Sequence, residues 1–193
     1  MISLNKSRPV YGPLEADPHG TQHWFVTSGA TADDRVRAVA ALKCVEPLEV
    51  WTVQEDTARA GIDPLHPSAR CFHDEAALLA ALEHAMRDAR IGVRIYALGS
   101  EPFIWSVRQI AERFAIAPEA VRVAHSGSLH RRVYCIHCRA LNERVTSNVM
   151  VCDGCGRHLL VRDHFSRRLA AFMGVQADAE APGELPEVEQ SYL

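Results

Sequence analysis

Short apolar runs alternate with segments of helical periodicity through residues 21–128. Five runs rich in β-branched and aromatic side chains have the length and composition of strands. They are His23–Thr27, Leu48–Val53, Ala69–Phe72, Val93–Leu98 and Val121–Ala124. Three helices are predicted between them, over Asp33–Lys43, Glu75–Arg90 and Phe103–Ala115. Because strands that alternate with helices build a parallel sheet with helices on its faces, this region predicts an α/β fold.

The spacing of apolar residues predicts the buried face of two of these helices. In the first helix, Val36, Val39 and Ala40 have the i, i+3, i+4 spacing of one face. In the second helix the corresponding residues are Leu78, Leu79, Leu82 and Met86. We expect both faces to pack on the sheet.

A further helix is predicted near the C-terminal end, over Arg162–Gly174. Asp163 suits its N-cap position and Gly174 its C′ position. Its apolar stripe is formed by Phe165, Leu169 and Phe172. Arg167 and Arg168 lie on another stripe, so this helix would present one apolar and one cationic face.

The two ends of the chain lack periodicity. Residues 1–20 are rich in proline and glycine, which predicts an N-terminal arm or linker. Residues 176–193 are acidic and contain two prolines, which predicts an extended tail, either disordered or laid as a strap on a partner or on this chain. Its candidate contact residues are Leu185, Val188, Tyr192 and Leu193. We predict an α/β domain over 21–128 and a zinc ribbon with its following helix over 129–175.

Two Cys-x-x-Cys pairs, Cys135/Cys138 and Cys152/Cys155, are separated by thirteen residues. Two residues between cysteines allow one tight turn to direct both sulfur atoms at a single ion, and the intervening loop brings the second turn back to the opposite side. A disulfide within either pair would be strained. The spacing therefore predicts a four-thiolate metal site, with zinc as the ion and a single iron as the alternative.

The two cysteine turns differ in the residue that follows them. Gly156 tolerates the positive φ that directs backbone N–H groups at the thiolates, whereas Arg139 occupies the equivalent position of the first turn. We therefore expect the second turn to be better formed. Three histidines lie nearby in sequence: His137, His158 and His164. Because four thiolates are present, we expect these histidines to be surface groups or neighbours of the ligands.

Other side chains with chemical potential are expected to be structural. Cys44 and Cys71 lie beside apolar runs, so we predict free thiols buried in the core. The tryptophans are predicted to be core residues and not a stacking platform for bases or a flavin; they are Trp24, Trp51 and Trp105. The histidines outside the cysteine cluster are predicted to be surface or capped histidines: His23, His66, His73 and His84.

Composition is that of a globular protein, with 48% apolar and 23% charged residues. No apolar run approaches the ~20 residues of a membrane span, and the first residues lack the apolar segment of a signal peptide. We therefore expect a cytoplasmic protein with reduced thiols. The net charge is −3, but nine arginines lie between Arg122 and Arg168 and the tail is acidic. Local charge is thus expected to guide partner binding.

The C-terminal part of the chain contains the cysteine cluster, then the run Val161–Leu169, and then the segments Gly174–Val175 and Asp178–Glu184. This arrangement resembles the small accessory subunit of bacterial dimethylamine monooxygenase. The resemblance is dense after the first cysteine pair and looser before it. It implies a heteromeric enzyme that oxidatively demethylates dimethylamine to methylamine and formaldehyde with NADPH and dioxygen. It also implies a haem-bearing partner subunit and a reductase partner that carries FMN and an iron–sulfur cluster.

Residues 93–124 resemble the closing part of the nucleotide-binding half of ferredoxin reductases. Those enzymes carry Cys-Gly-Pro-x-x-Phe at this point, whereas Leu98 and Ser100 replace the cysteine and the proline here. Their Gly-rich turn after the first strand binds pyrophosphate, whereas this turn contains Asp33 and Asp34. The resemblance therefore implies a reductase-like fold that has lost cofactor binding and serves as a scaffold.

The function favoured by these features is an accessory, structural subunit of the monooxygenase. A closed four-cysteine zinc site leaves no position for water or substrate, so it contributes to folding and not to Lewis-acid chemistry. No residue of this chain has the surroundings of a nucleophile or a general base. We therefore predict that this chain contains no catalytic residue.

Two alternatives follow from the same cluster. A nucleic-acid-binding zinc ribbon is suggested by six arginines: Arg131, Arg132, Arg139, Arg144, Arg157 and Arg162. Scarce lysine, the lack of interleaved aromatic residues and the acidic tail disfavour it. A rubredoxin-like electron-transfer subunit with one iron is the other alternative. Rubredoxins have glycine after both cysteine pairs and a longer intervening segment, whereas here only Cys155 is followed by glycine.

Overall fold

The computed structural model describes residues 8–53 and 69–193, which fall into two units. The first, called here the parallel-sheet unit, is Tyr11–Gly127. The second, called the cysteine unit, contains Ser128–Leu193 together with residues 8–10. The beginning of the predicted arm and the loop predicted after the second strand, which includes His66, lie outside the described residues.

The parallel-sheet unit contains one five-stranded sheet, as the alternating pattern predicted. Its strands are β1 Gln22–Ser28, β2 Leu48–Val53, β3 Arg70–Phe72, β4 Val93–Gly99 and β5 Val121–His125. They run in the order β3-β2-β1-β4-β5, and every neighbouring pair is parallel. This is the strand order of a doubly wound sheet: strands are added on one side of β1 up to β3 and then on its other side from β4.

In the described residues, three helices connect these strands, close to the predicted positions. They are α1 Ala32–Ala41, α2 Glu75–Ala85 with a 3-10 turn Met86–Asp88, and α3 Glu101–Arg113. A second 3-10 turn, Pro118–Ala120, precedes β5. The hydroxyl of Thr31 and the carboxylate of Asp74 cap α1 and α2 by accepting from backbone N–H groups of the first turn. These short polar side chains satisfy donors that lack a partner within the helix.

The predicted buried face of α1 is confirmed for Val39, which packs on the core, and is wrong for Val36 and Ala40, which are exposed. Val36 is 52% exposed, whereas Arg35 and Ala38 are buried. Leu42, just beyond the helix, is fully buried and fixes the phase of the helix because it lies seven residues after Arg35. The Arg35 guanidinium donates to the Ala30 carbonyl at 2.9 Å, so its burial is accompanied by a hydrogen bond.

The tryptophans belong to the core, as predicted. Trp24 and Trp51 are 2% and 1% exposed, and their rings lie 5.7 Å apart. Trp105 of α3 is also buried. In contrast, the predicted burial of Cys44 and Cys71 is wrong, because both thiols are exposed. Cys44 lies beyond the end of α1, and Cys71 lies on β3, the edge strand of the sheet.

The prediction for His23 is also wrong, because this histidine is buried. It is 1% exposed on β1, and its Nδ1 lies 3.1 Å from the hydroxyl oxygen of Tyr96 on β4. Burial lowers the pKa of His23, since the charged form loses hydration. His73 and His84 are exposed, as predicted.

The segment before β1 packs against the parallel sheet, where the sequence predicted an arm or linker. The Tyr11 hydroxyl donates to Glu101 at 2.7 Å and accepts from the Trp105 indole at 2.8 Å. Further along, the Asp17 carboxylate pairs with Arg94 on β4. Composition favours irregular backbone in this segment, but polar contacts distant in sequence fix its position.

The cysteine unit contains a second five-stranded sheet. Its strands are β6 Arg131–Cys135, β7 Leu141–Val145, β8 Val149–Val151, β9 His158–Ser166 and β10 Ala171–Gln176. They are arranged in the order β7-β6-β10-β9-β8. The β6–β7 and β8–β9 pairs are antiparallel, and each is connected by one of the two cysteine turns.

The helix predicted over Arg162–Gly174 is wrong, because these residues form the β9–β10 hairpin. Phe165 and Phe172, which a helix would place on one stripe, are direct partners across the hairpin with ring centroids 5.0 Å apart. The turn between the strands includes Ala170 with φ +49°. Leu159, Val161 and Phe165 are buried at alternating positions, and this strand period dominates the helical spacing.

The two residues predicted to cap that helix have other positions. Gly174 lies within β10, and Asp163 lies on β9. Asp163 accepts a hydrogen bond from Arg131 at 2.7 Å. The Arg131 guanidinium carbon also lies 4.0 Å from the ring centroid of Phe172 and 3.8 Å from that of Tyr192. The arginine side chain is 3% exposed, so a paired cation between two aromatic rings forms part of this unit's interior.

The tail lies on its own unit. The Tyr192 backbone N–H donates to the Thr146 carbonyl at 2.9 Å, and the Asn148 N–H donates to the Glu189 carbonyl at 3.1 Å. The Asn148 side chain donates to the Glu187 carbonyl at 3.0 Å and accepts from the Glu189 N–H at 2.8 Å. Leu185, Val188 and Leu193 remain exposed. Of the predicted contact residues, Tyr192 is therefore the one that covers the body of the unit.

Candidate metal centre

The four cysteines of the two turns converge. The Sγ atoms of Cys135 and Cys155 are 3.9 Å apart, those of Cys138 and Cys152 are 3.6 Å apart, and all four lie within 4.8 Å of one another. A tetrahedral ion with metal–sulfur bonds of about 2.3 Å requires sulfur atoms about 3.8 Å apart. The thiols therefore have the number and spacing that a tetrahedral metal ion requires, and they could bind one.

Within residues 8–53 and 69–193, this is the one group of three or more Cys, His, Asp or Glu side chains close enough to share an ion. All six cysteines of the chain are free thiols. The three histidines near the cluster in sequence are not members of the group. His137 is exposed, and its Nδ1 lies 2.8 Å from an Arg157 nitrogen.

The two cysteine turns have the same backbone geometry, so the expectation that the second is better formed is wrong. Arg139 has φ +66° and Gly156 has φ +70°. Each of these residues donates its N–H at 2.9 Å to the carbonyl of the first cysteine of its pair. The first turn thus adopts the same left-handed conformation without glycine, at an energetic cost to its backbone.

Backbone N–H groups point at three of the sulfur atoms. Cys138 accepts from Ala140, Cys152 from Gly154 and Cys155, and Cys155 from Arg157. Although burial raises it, the hydrogen bonds from Cys155 and Gly154 lower the pKa of Cys152 to about 6. Such N–H groups stabilise thiolates, the form in which cysteine binds a metal.

A fully buried asparagine connects the second cysteine turn to the other hairpin. Asn142 of β7 donates its Nδ2 to the Val133 carbonyl on β6 at 3.1 Å and accepts from the Asp153 N–H at 2.8 Å. It is 0% exposed. Its amide therefore holds the Cys152–Cys155 turn at a fixed position relative to β6 and β7. No spacing signal distinguishes Asn142 from other asparagines, and only the strand pairing assigns this role.

Small and apolar residues enclose the cluster. Leu159 is fully buried against Cys135 and Cys152, and Ala140 and Met150 pack on the same group. A Cβ at Gly154 would lie 2.7 Å from the Ala140 Cβ and 3.0 Å from the Cys138 Sγ. Only glycine therefore leaves room for the sulfur atom at this position.

Three of the arginines around the cluster already interact with other residues of this chain. Arg131 is buried, Arg132 pairs with Glu143, and Arg157 contacts His137. These contacts leave fewer guanidinium groups for a phosphate backbone than the sequence suggested, which disfavours nucleic-acid binding.

A second candidate site, the crevice at the carboxyl ends of β1, β4 and β5, is occupied by protein groups. Ser126, after β5, accepts from the Thr31 N–H at 3.0 Å and donates to the Asp34 carboxylate at 2.6 Å. Thr31 also donates its hydroxyl to Asp34 at 2.8 Å. Hydrogen bonds from Ser126 and then Thr31 hold the pKa of Asp34 below its usual range. A carboxylate thus lies at the N-terminus of α1, the position where doubly wound folds bind phosphate.

The loops around this crevice are also in close contact. A Cβ at Gly127 would lie 2.0 Å from the Gly29 carbonyl oxygen, so the loops after β5 and β1 approach as closely as glycine permits. Ser28, at the end of β1, donates to Glu75 at 3.0 Å. The hydroxyls of Ser28, Thr31 and Ser126 at this edge therefore donate to carboxylates of the chain itself.

Comparison with known proteins extends these observations. The C-terminal domain of the dimethylamine monooxygenase subunit DmmA-like family matches residues 132–175, and its N-terminal domain matches residues 4–121. The chain belongs to the DmmA-like family. It is also 30% identical over 176 residues to the "Heme-dependent oxidative N-demethylase delta subunit" of Ectopseudomonas mendocina (strain ymp), with 91% of each chain covered. The C-terminal match of this DmmA-like chain includes all four clustered cysteines.

A solved structure gives a weaker similarity. An intact type IV self-sufficient cytochrome P450 monooxygenase aligns with 86% of the DmmA-like chain and 22% of its own length, at 18% identity and a TM-score of 0.35. This score is too low to support an inference about fold. In the described part of the chain, no helix has the length and apolar character needed to cross a membrane.

Proposed function

We propose that this chain is an accessory subunit of a haem-dependent complex that oxidatively N-demethylates dimethylamine. The similarity to a delta subunit over nine-tenths of both chains carries the proposal. In this complex, dimethylamine is converted to methylamine and formaldehyde with NADPH and dioxygen. The haem resides in one partner subunit, and FMN and an iron–sulfur cluster reside in a reductase partner. The complex works in the cytoplasm.

Within the complex, the four cysteines bind zinc, and the zinc holds the cysteine unit folded. Four thiolates fill a tetrahedral coordination shell, which leaves no ligand position for substrate. Structural zinc contributes roughly 10–16 kcal/mol to the folding of small modules. The small apolar cluster around Cys135, Cys152 and Leu159 is consistent with a unit that depends on such a contribution.

The parallel-sheet unit serves as a scaffold derived from a reductase-like nucleotide-binding fold. Its strand order supports this proposal, as does the Asp34 carboxylate in place of a bound phosphate. A dinucleotide would have to displace Asp34 from two hydroxyl donors and place its pyrophosphate beside the carboxylate. The unit is therefore expected to bind NADPH weakly or not at all.

Purification of the tagged chain from its native cells tests the assignment to a complex. We expect a haem protein with a Soret band to co-purify, and we expect the preparation to form formaldehyde from dimethylamine with NADPH. A preparation of untagged cells provides the control. A tagged chain that purifies without haem, and without activity towards dimethylamine, would contradict the proposed function.

Elemental analysis tests the metal assignment. We expect about one zinc per chain in the wild-type protein and in the Cys71→Ser variant, which replaces an exposed thiol outside the cluster. Cys152→Ser should lose zinc and unfold the cysteine unit. A red protein with iron in place of zinc would support the rubredoxin-like alternative.

Calorimetry with NADPH tests the scaffold proposal. No heat of binding is expected for the isolated wild-type chain at micromolar concentrations. The Asp34→Asn variant removes the negative charge at the same site with little change in shape, so it reports whether charge alone prevents binding. Micromolar NADPH binding by the wild-type chain would reject the scaffold role.

A further inference from the structure

A groove of about 290 Å³ crosses strands β6, β10 and β9 of the cysteine unit. Its walls are mostly apolar. They are formed mainly by Tyr134, Ile136, His164, Phe165, Leu169 and Met173. A concave, apolar surface of this kind fits a side chain or a short segment of another molecule.

Strand register explains how these side chains come together. Met173 of β10 is the direct partner of Tyr134 on β6 and of Arg162 on β9. Because direct partners project to the same face of a sheet, the three side chains form a row across it. The groove is therefore built on three hydrogen-bonded strands, with a register shift in the β9–β10 pairing between Phe172 and Met173.

The candidate metal centre shapes one wall of the groove. Ile136 directly follows Cys135, and its side chain is 52% exposed. Its backbone N–H donates to the Gly174 carbonyl on β10 at 3.1 Å. The first cysteine turn thus places an exposed isoleucine beside Met173, so an ion bound at the cysteines would stabilise the groove.

The surroundings of the groove are cationic. The β9–β10 hairpin carries Arg162, Arg167 and Arg168, and Asp163 is its only carboxylate. Asp163 accepts from the buried Arg131, so this one carboxylate faces a fourth arginine besides the three of the hairpin. A segment that enters the groove would therefore meet a positive field, which favours acidic residues on either side of its apolar anchor.

We propose that this groove binds an apolar segment, flanked by acidic residues, of a partner subunit in the complex. The inference rests on the proposed function, since it assigns the surface that joins this chain to the complex. The chain's own tail has related chemistry, but Asn148 and Thr146 fix its backbone to the turn before β8. A partner subunit is therefore the proposed occupant.

Two exposed apolar residues provide a matched test. Ile136 follows Cys135 and lines the groove, whereas Val151 precedes Cys152 and does not; they are 52% and 53% exposed. Tagged full-length chains carrying Ile136→Asp or Val151→Asp are purified from the native cells, and haem absorbance and zinc are measured per chain. We expect Ile136→Asp to reduce co-purified haem protein by about tenfold or more, as removal of an anchor residue does. Val151→Asp should leave it unchanged.

A second pair of variants tests the charge of the rim. Arg162→Glu and Arg167→Glu should each weaken retention of the haem protein, and more strongly at low salt. Arg144→Glu makes the same charge change at an exposed position of β7 that does not line the groove, so it should have little effect. Equal effects of all three variants would contradict a local cationic rim.

The outcomes separate this inference from the proposed function. If the wild-type chain retains no haem protein, the proposed function fails. If the wild-type and Ile136→Asp chains retain haem equally, the function stands and the groove is not the docking surface. If Ile136→Asp loses zinc, Leu169→Asp, which changes the groove away from the cysteines, decides in its place. A wild-type dimer that Ile136→Asp converts to a monomer in sedimentation would identify a second copy as the occupant and overturn the proposal.

Discussion

Arg139 illustrates how a single residue can hold a backbone conformation that its type disfavours. Its φ of +66° matches the φ of +70° at Gly156 in the equivalent position of the other cysteine turn. A non-glycine residue in this region costs of order 1–3 kcal/mol. The two cysteine turns therefore provide an internal comparison of the same conformation with and without a side chain.

Placing glycine at position 139 and a residue with a side chain at position 156 should change the free energy of unfolding in opposite directions. We expect Arg139→Gly to raise the free energy of unfolding by about 1 kcal/mol, since relief of strain outweighs the extra freedom of the unfolded chain. Gly156→Ala should lower it by about 1 kcal/mol through strain alone, because no atom lies within 4 Å of the new Cβ. Urea unfolding at constant zinc measures both. A destabilised Arg139→Gly variant would show that the arginine side chain itself holds the turn.

Asp34 makes the parallel-sheet unit sensitive to acid. Because hydrogen bonds from Ser126 and then Thr31 lower its pKa in the folded state, its contribution to stability is present above the unfolded pKa of about 4. This contribution is lost as the pH falls through the lower, folded pKa. We expect the Asp34→Asn variant to be less stable at pH 7 and to lose less stability on acidification. Urea unfolding followed by circular dichroism between pH 7 and pH 3 tests this, and parallel curves for the two proteins would contradict it.

The sequence predicted the role of the four cysteines but not the roles of Asn142 and Arg131. The cysteine spacing predicted the thiol cluster, because two residues between ligands impose a tight turn whatever the surroundings. The roles of Asn142 and Arg131 depend on partners that strand pairing brings together, namely Asp153 for the first and Tyr192 for the second. Spacing along the chain contains no information about such contacts.

At the scale of elements, local periodicity predicted the sheet and failed at the β9–β10 hairpin. The five parallel strands were evident because each is a short apolar run bounded by a helix or a turn. Phe165 and Phe172 are seven residues apart, which suits two turns of a helix and also two partners across a hairpin. The buried face of α1 was predicted only in part for a related reason, since Leu42 outside the helix determines its phase.

The tail acts as an element of the cysteine unit, because it covers Arg131 and pairs with the turn before β8. We expect Tyr192→Ala to lower the free energy of unfolding of this unit by about 2 kcal/mol, the magnitude of a desolvated cation–π contact. Val188→Ala, which changes an exposed position of the same segment, provides the control. Urea unfolding of the zinc-loaded chains measures both. Equal stability of the two variants would show that the tail contributes little to folding.

At the scale of the whole molecule, the two units depend on different sources of stability. The parallel-sheet unit contains large buried side chains, among them Trp51, Tyr96 and Phe103. The cysteine unit buries fewer large apolar side chains, chiefly Leu159, Phe165 and Phe172, and part of its interior is the cluster of four thiols. A large apolar core supports folding by itself, whereas a small one requires a further contribution such as a bound metal.

Removal of the metal should therefore affect the two units unequally. In the presence of a strong zinc chelator, we expect amide hydrogen exchange to accelerate throughout residues 131–176 and to remain slow in β1, β2 and β4. Cys71→Ser should respond as the wild-type chain does. Acceleration of similar size in both units would indicate that they unfold as one, and unchanged exchange would indicate that the cysteine unit folds without metal.

The placement of the aromatic side chains makes the two units optically distinguishable. All three tryptophans lie in the parallel-sheet unit, and two of them are in ring contact on β1 and β2. Excitation at wavelengths that only indole absorbs therefore reports on that unit alone. Tyrosine absorbance reports on both units, since Tyr11 and Tyr96 lie in the parallel-sheet unit and Tyr134 and Tyr192 lie in the cysteine unit. In one unlabelled sample, a change in tyrosine absorbance that occurs without a change in tryptophan emission would therefore indicate unfolding of the cysteine unit.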